Sequence, residues 1–156
     1  MASTAAKPAS ADLTLLITRT FNAPRERVFD AWTDPKQIAK WIGPRTVRPE
    51  VKEMSAKAGG RYRIHMRRDD GADGPMVGGQ YREIVRPERL VFTWMWESAH
   101  PMGHEGHETT ITLTFRDIGG KTEMTLRQEI FDSKDSRDSH NQGWTASFDK
   151  LAEMLA

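Results

Sequence analysis

A chain of 156 residues, 37% hydrophobic and 29% charged, holds enough apolar material for one domain with a real core. Its 23 Lys and Arg against 22 Asp and Glu leave a formal net charge of +1, which gives no global electrostatic case for nucleic acid or an anionic membrane. The absence of cysteine excludes disulfides, thiolate nucleophiles and cysteine metal sites. No apolar run approaches the ~20 residues of a membrane span, and the opening MASTAAKPASAD lacks the apolar stretch of a secretory signal. The reading is a cytoplasmic chain with a disordered tail over 1–10 and a single domain over 11–156.

Leu13 to Phe21 (LTLLITRTF) is rich in Leu, Ile and Thr and reads as a first strand. Asn22-Ala23-Pro24 breaks it, and Pro24 suits the start of a helix, where its missing N–H costs nothing. Val28, Phe29 and Trp32 lie three and four apart and give that helix one apolar face. Asp34 is placed to cap a second short helix with Ile38, Trp41 and Ile42 inside and Gly43-Pro44 as its stop. Six strand-like segments follow, at roughly 47–52, 61–68, 77–86, 90–97, 107–117 and 121–130. Asp69-Asp70-Gly71, Pro87-Glu88 and Gly119-Gly120 are turn signals, and such short connections imply an antiparallel meander.

In the strands, apolar and polar residues alternate: Tyr62, Ile64 and Met66 against Arg61, Arg63 and His65; Ile111, Leu113 and Phe115 against Thr110, Thr112 and Thr114. Each therefore has one dry face that needs a cover. Trp144, Phe148, Leu151 and Leu155 recur at steps of four, three and four, the stripe of an amphipathic helix. Ser139-His140-Asn141-Gln142 has the form of a capping box, which starts that helix near 139 and ends it near 155. The expected fold is α+β: a curved seven-stranded antiparallel sheet wrapped around a long C-terminal helix, with two short helices after the first strand.

FNAPRERVFDAWTDPKQIAKWIGP, GGRYRIHMR, YREIVRPERLVFTW and the GW of NQGWTASFDKL are together similar to the bacterial activator of heat-shock protein ATPase homologue family, within the START-like or SRPBCC superfamily. The likeness runs from about residue 12 to 155. It implies a helix-grip fold with a deep hydrophobic pocket between sheet and helix. Superfamily members bind lipids, hormones and polyketides, and some are cyclases or hydroxylation components. The family takes its name, and a link to the stress response, from a eukaryotic co-chaperone in which a similar domain works beside a second one. Here the expectation is a single domain without that partner, so the chaperone role does not transfer on resemblance.

The leading site candidate is an aromatic and methionine set: Tyr62, Ile64, Met66, Phe92, Trp94, Trp96, Trp144 and Phe148, with Trp41 and Tyr81 beside them. Packing into an ordinary core is the plain alternative for each. Three indoles close together are hard to surround without voids, and such linings suit adaptable apolar pockets. Arg19 shares the parity of Leu15, Ile17 and Phe21, so it is either a polar anchor for an acidic ligand or a strand-end residue reaching water. Gln128 shares the apolar parity of its strand, and Glu83 is a further candidate. Gly143 costs helix stability, either because it lies near the helix start or because room is needed there.

His100, His104 and His107 with Glu105 and Glu108 have ligand chemistry but no zinc-helix spacing, and read as a hairpin loop with His107 turned to a pocket rim. Asp69–Gly74 lacks the bidentate glutamate of a calcium loop and reads as a turn. The stripe Arg61, Arg63, His65, Arg67 and Arg68, with Arg82 and Arg86, is a solvated face or a surface for an acidic protein. Phosphate loops, dinucleotide fingerprints and the nucleophile elbow are absent, and no metal, cofactor or catalytic set is assigned. Three readings stay open: a binder of a hydrophobic small molecule, a co-chaperone-like interaction module, and a cyclase- or hydrolase-like enzyme drawing on His65, His107, Tyr62, Tyr81 or Arg19. A monomer or weak homodimer is expected.

Overall fold

Turn chemistry orders the sheet. The structure is a computed structural model describing residues 11–97 and 106–156. β1 (Leu15–Phe21) is followed by α1 (Arg25–Thr33) and α2 (Pro35–Trp41). Then come β2 (Val47–Met54), β3 (Arg61–Arg68), β4 (Met76–Val85), β5 (Arg89–Trp96), β6 (Glu108–Ile118) and β7 (Lys121–Glu129). α3 (Lys134–Leu155) closes the chain. The antiparallel sheet runs β1-β7-β6-β5-β4-β3-β2, so consecutive strands pair from β2 to β7 and β1 crosses to the far edge. This is the expected α+β architecture, with the strands within a residue or two of their expected places.

The alternating pattern makes one face of this sheet dry. Leu113 sits opposite Leu126 and Leu90, Phe115 opposite Met124, and Phe92 opposite Ile111, and all are buried. Cross-strand pairs of this kind are the unit of sheet stabilisation. α1 and α2 cover one end of the dry face with Val28, Phe29, Trp32, Ile38 and Trp41. Asp34 caps α2 by accepting the Lys36 N–H at 2.9 Å, as its sequence position suggests.

Two expectations are corrected. The final helix starts at Lys134, not near 139: Ser133 is its N-cap, accepting the Ser136 N–H at 3.0 Å. Ser139 lies inside the helix, so its capping-box spacing is coincidental, and Gly143 sits in mid-helix rather than near the start. The earlier turn escapes the hydrophobic pattern because its inward residues, Ser136 and His140, are polar yet buried. Glu83 does not share the inner face. A bulge between Tyr81 and Glu83 breaks the parity of β4, and Glu83 is exposed beside Arg89 at 3.0 Å.

Candidate functional site

β5 sends Leu90, Phe92, Trp94 and Trp96 inward in succession, and β3 sends Tyr62, Ile64 and Met66. Above them α3 presents His140, Trp144, Ser147 and Phe148. The two ends of this interior differ. Around Trp32, Ile38, Tyr62, Ile64, Tyr81, Leu90 and Phe92 the remaining void is about 10 Å³, the scale of a single water. Beyond them lies a cavity of about 580 Å³. Its walls are Trp94 and Trp96 of β5, Met66 of β3, Ile42, Gly43, Pro44 and Val47 after α2, and His140, Gly143, Trp144 and Ser147 of α3; Thr46, Arg68 and Asp73 are exposed at its mouth. That volume suits a small molecule.

Gly43 shapes the rim. Its φ of +86° is a left-handed conformation that side-chain-bearing residues resist, and a Cβ there would meet Val47 Cγ1 at 3.3 Å. The turn aims the Gly43 N–H at Ser147 Oγ, 2.8 Å away, and the Ser147 hydroxyl in turn donates to the Gly143 carbonyl at 2.8 Å.

The polar atoms of the inner wall are engaged with one another. The Trp94 and Trp96 indole N–H groups both donate to His140 Nε2, at 3.3 and 3.1 Å. His140 Nδ1 lies 2.8 Å from the Ser136 carbonyl, which only accepts, so the ring proton resides on Nδ1 and Nε2 is the acceptor. The Trp144 indole donates to Gln128 Oε1 at 2.8 Å, and Gln128 Nε2 donates to Thr109 Oγ1 at 2.9 Å. Gln128 thus lies on the inner face of β7, as its parity indicates, fully buried.

Of the sequence-nominated set, Met66, Trp94, Trp96 and Trp144 line the cavity. Tyr62, Ile64, Tyr81 and Phe92 surround the small void, Trp94 bordering both. Trp41 and Phe148 are buried against each other at 6.3 Å between rings. The Tyr62 hydroxyl donates to the Thr93 carbonyl at 2.5 Å, and burial holds the phenols of Tyr62 and Tyr81 well above their ordinary range. Arg19 lies outside the cavity, 2.7 Å from Asp149 of α3 and 5.8 Å from the Phe21 ring. His107 meets the Ile130 carbonyl at 2.6 Å and does not line the cavity; His65 meets the Gly74 carbonyl at 3.1 Å. His140 and Ser147 were not nominated. Their signal was the spacing Ser136–His140–Trp144–Phe148, which continues the helical stripe through polar residues.

On the outer face, Arg63 forks onto Glu97 at 2.8 and 3.0 Å, and Arg67, Arg68, Arg82 and Arg86 have Glu50, Asp70, Glu108 and Asp30 within 4.0 Å. The Asp69–Gly74 segment is a turn in which Asp70 accepts the Ala72 N–H at 2.9 Å. Among the described residues no group of three potential ligands could hold a metal ion, and no helix is long and apolar enough to cross a membrane. His100, His104 and Glu105, like the tail 1–10, lie outside the described residues.

The sequence pattern of the family described as "Activator of Hsp90 ATPase homolog 1-like protein" matches residues 22–156. The chain belongs to this family. Among curated proteins, the human "Activator of 90 kDa heat shock protein ATPase homolog 1" is 32% identical over 91 residues, which cover 58% of this chain and 23% of the human protein. The match thus spans about a quarter of that relative's length. A crystal structure of a Chromobacterium violaceum protein superposes with a TM-score of 0.83 at 27% identity, covering 92% of this chain and 96% of the other. A solution structure from Arthrobacter aurescens, 22% identical with a TM-score of 0.79 over 96% and 91% of the two chains, shares the fold. In this Activator of Hsp90 ATPase homolog 1-like chain, the indole-walled cavity lies between the N-terminal half of α3 and the β3–β5 part of the sheet.

Proposed function

We propose that this protein binds a hydrophobic small molecule in the cavity between α3 and the sheet. The observation that carries the reading is the cavity itself: about 580 Å³ walled by three indoles and a methionine, with its charged residues kept to the mouth. Apolar ligand surface buried there contributes roughly 25 cal/mol per Å², against which the association costs are set.

The other two readings have less behind them. The basic stripe that would serve an acidic partner is largely neutralised by its own neighbours. The buried tyrosines are held protonated by their surroundings, and the imidazole at the cavity wall has both nitrogens engaged. These tyrosines and this imidazole are therefore engaged in packing and hydrogen bonds rather than set as an acid–base pair.

The test is native mass spectrometry of freshly purified protein together with titration of N-phenyl-1-naphthylamine, a neutral flat fluorophore that brightens in apolar surroundings. Saturable one-to-one binding that weakens at least tenfold in Val47→Phe, where the new ring intrudes on the cavity, supports the reading. No saturable binding and no retained small molecule defeats it.

A further inference from the structure

We propose that His140 sets the ligand preference of this cavity: by accepting both the Trp94 and Trp96 indole N–H groups, it makes a wall of polar residue types behave as hydrocarbon. The class selected is a molecule whose buried part carries no hydrogen-bond acceptor, such as an alkyl or unsubstituted aromatic body. The inference rests on the ligand-binding reading above and narrows it.

An indole has one N–H and no acceptor. Three indoles line the cavity, and all three N–H groups are already donated, two to His140 Nε2 and one to Gln128 Oε1. His140 can serve two donors because its other nitrogen is tied to the Ser136 carbonyl, which fixes the ring proton on Nδ1 and leaves Nε2 as an acceptor. Ser147 gives its hydroxyl proton to Gly143 and accepts from Gly43. A ligand carbonyl entering this interior leaves its water hydrogen bonds and meets donors that are all committed, which is costly. The charged and hydroxyl side chains that face water belong to exposed Thr46, Arg68 and Asp73 at the mouth, where Arg68 also holds Asp70 at 2.9 Å. Four residues, His140, Trp94, Trp96 and Trp144, are 4% exposed or less, so water has little access to relax the arrangement.

The alternative consequence of the same geometry makes the proposal testable. Without an acceptor at position 140, two indole N–H donors are released toward the cavity, and a ligand carbonyl gains partners. The probes are 2-ethylnaphthalene and its near-isostere 2-acetylnaphthalene, titrated by quenching of tryptophan fluorescence, with both also partitioned between hexadecane and water. Wild-type protein is expected to discriminate against the ketone at least as strongly as hexadecane does. His140→Phe is expected to lose about tenfold of that ratio, the size of one well-made hydrogen bond. His140→Gln, whose amide oxygen accepts N–H groups, is expected to retain it. General loosening of the fold weakens both probes together and leaves the ratio in place, so the ratio reports the wall's chemistry.

A wild-type ratio well below that of hexadecane overturns the proposal, and this outcome requires no variant to fold. An unchanged ratio in folded His140→Phe overturns it as well. Binding of both probes without discrimination removes this inference and leaves the ligand-binding reading standing, whereas binding of neither removes both.

Discussion

The two ends of the dry sheet face are built from the same residue types and come out differently. At the end under α1 and α2, Trp32 lies 4.6 Å from Trp41, 6.1 Å from Phe92, 6.0 Å from Phe148 and 5.7 Å from Trp144, measured between rings, and only a water-sized void remains. At the other end, Trp94, Trp96 and Trp144 are as large and as well hidden from bulk solvent, yet they border about 580 Å³. The difference is the number of layers. The first end has strands, α3 and two further helices that push Trp32 and Trp41 between them. The second has strands, one helix and only the short segment after α2 at its rim, and a single cylinder on a concave sheet touches it along a strip. Aromatic content therefore measures how much apolar wall is available; the count of covering elements decides whether it becomes core or cavity.

The largest expected effect breaks this comparison directly. Trp32→Ala removes a ring packed on every side and is expected to cost about 3–5 kcal/mol in urea unfolding. Trp96→Ala removes a ring that already borders open space, so its lost contacts are fewer and its cost is expected at about half of that. Equal costs for the two would mean that the second end closes in solution and that the hollow is not a standing feature of the protein.

A second effect, of intermediate size, sharpens the account of the filled end. Tyr62 and Tyr81 border the small void, and burial raises both phenol pKa values above the ordinary 10.0. The raised values mean the folded state keeps protons that the unfolded state releases. Stability from these groups is present below pH 10 and is lost as pH rises from there toward the folded-state values. Stability against urea is therefore expected to fall above pH 10, with a shallower fall in the Tyr62→Phe, Tyr81→Phe double variant. Near neutral pH, Tyr62→Phe alone is expected to cost about 1 kcal/mol, because the Thr93 carbonyl loses its hydroxyl partner. An unchanged alkaline slope in the double variant would place the two phenols in water.

How much of this was legible beforehand follows the same division. Period-two alternation in β3, β6 and β7 is a local property, and it placed the dry face correctly, including the buried Gln128. The Trp144–Phe148–Leu151–Leu155 stripe is equally local, and it placed the covering helix. Which aromatic residues would line open space was not local. Phe92 and Trp94 are two residues apart on one face of one strand; Phe92 packs against Trp32 from α1, while Trp94 borders the cavity as well. Only the docking of α1 and α2 separates them. His140 was hidden for another reason: a polar residue on a helical stripe looks like a surface position until its partners, two indoles on β5, are brought within 3.3 Å. The first turn of α3 was missed because Ser136 and His140 occupy its inner face.

The smallest expected effect concerns the joint between the two ends. α2 carries Ile38 and Trp41 into the filled end, and the loop that follows it, through Gly43, forms the rim of the open one. Asp34 holds the start of this helix, accepting from the Gln37 side chain at 3.1 Å and from the Lys36 N–H at 2.9 Å, and these bonds keep its carboxyl below the ordinary 3.8. A depressed carboxyl pKa contributes stability that is present above the unfolded-state value and disappears as pH falls through the folded-state value. Asp34→Ala is therefore expected to melt a few degrees below wild type at pH 7, with the gap narrowing as pH drops below 3.8. Asp34→Asn keeps an acceptor for the Lys36 N–H and should recover most of the difference at pH 7 without its pH dependence. If α2 is the shared joint, Asp34→Ala also weakens N-phenyl-1-naphthylamine binding more than its small loss of stability suggests, because the rim moves with the helix. A variant that melts lower yet binds the probe unchanged would show that the rim is held by Gly43 and Ser147 alone, and that the two ends are mechanically independent.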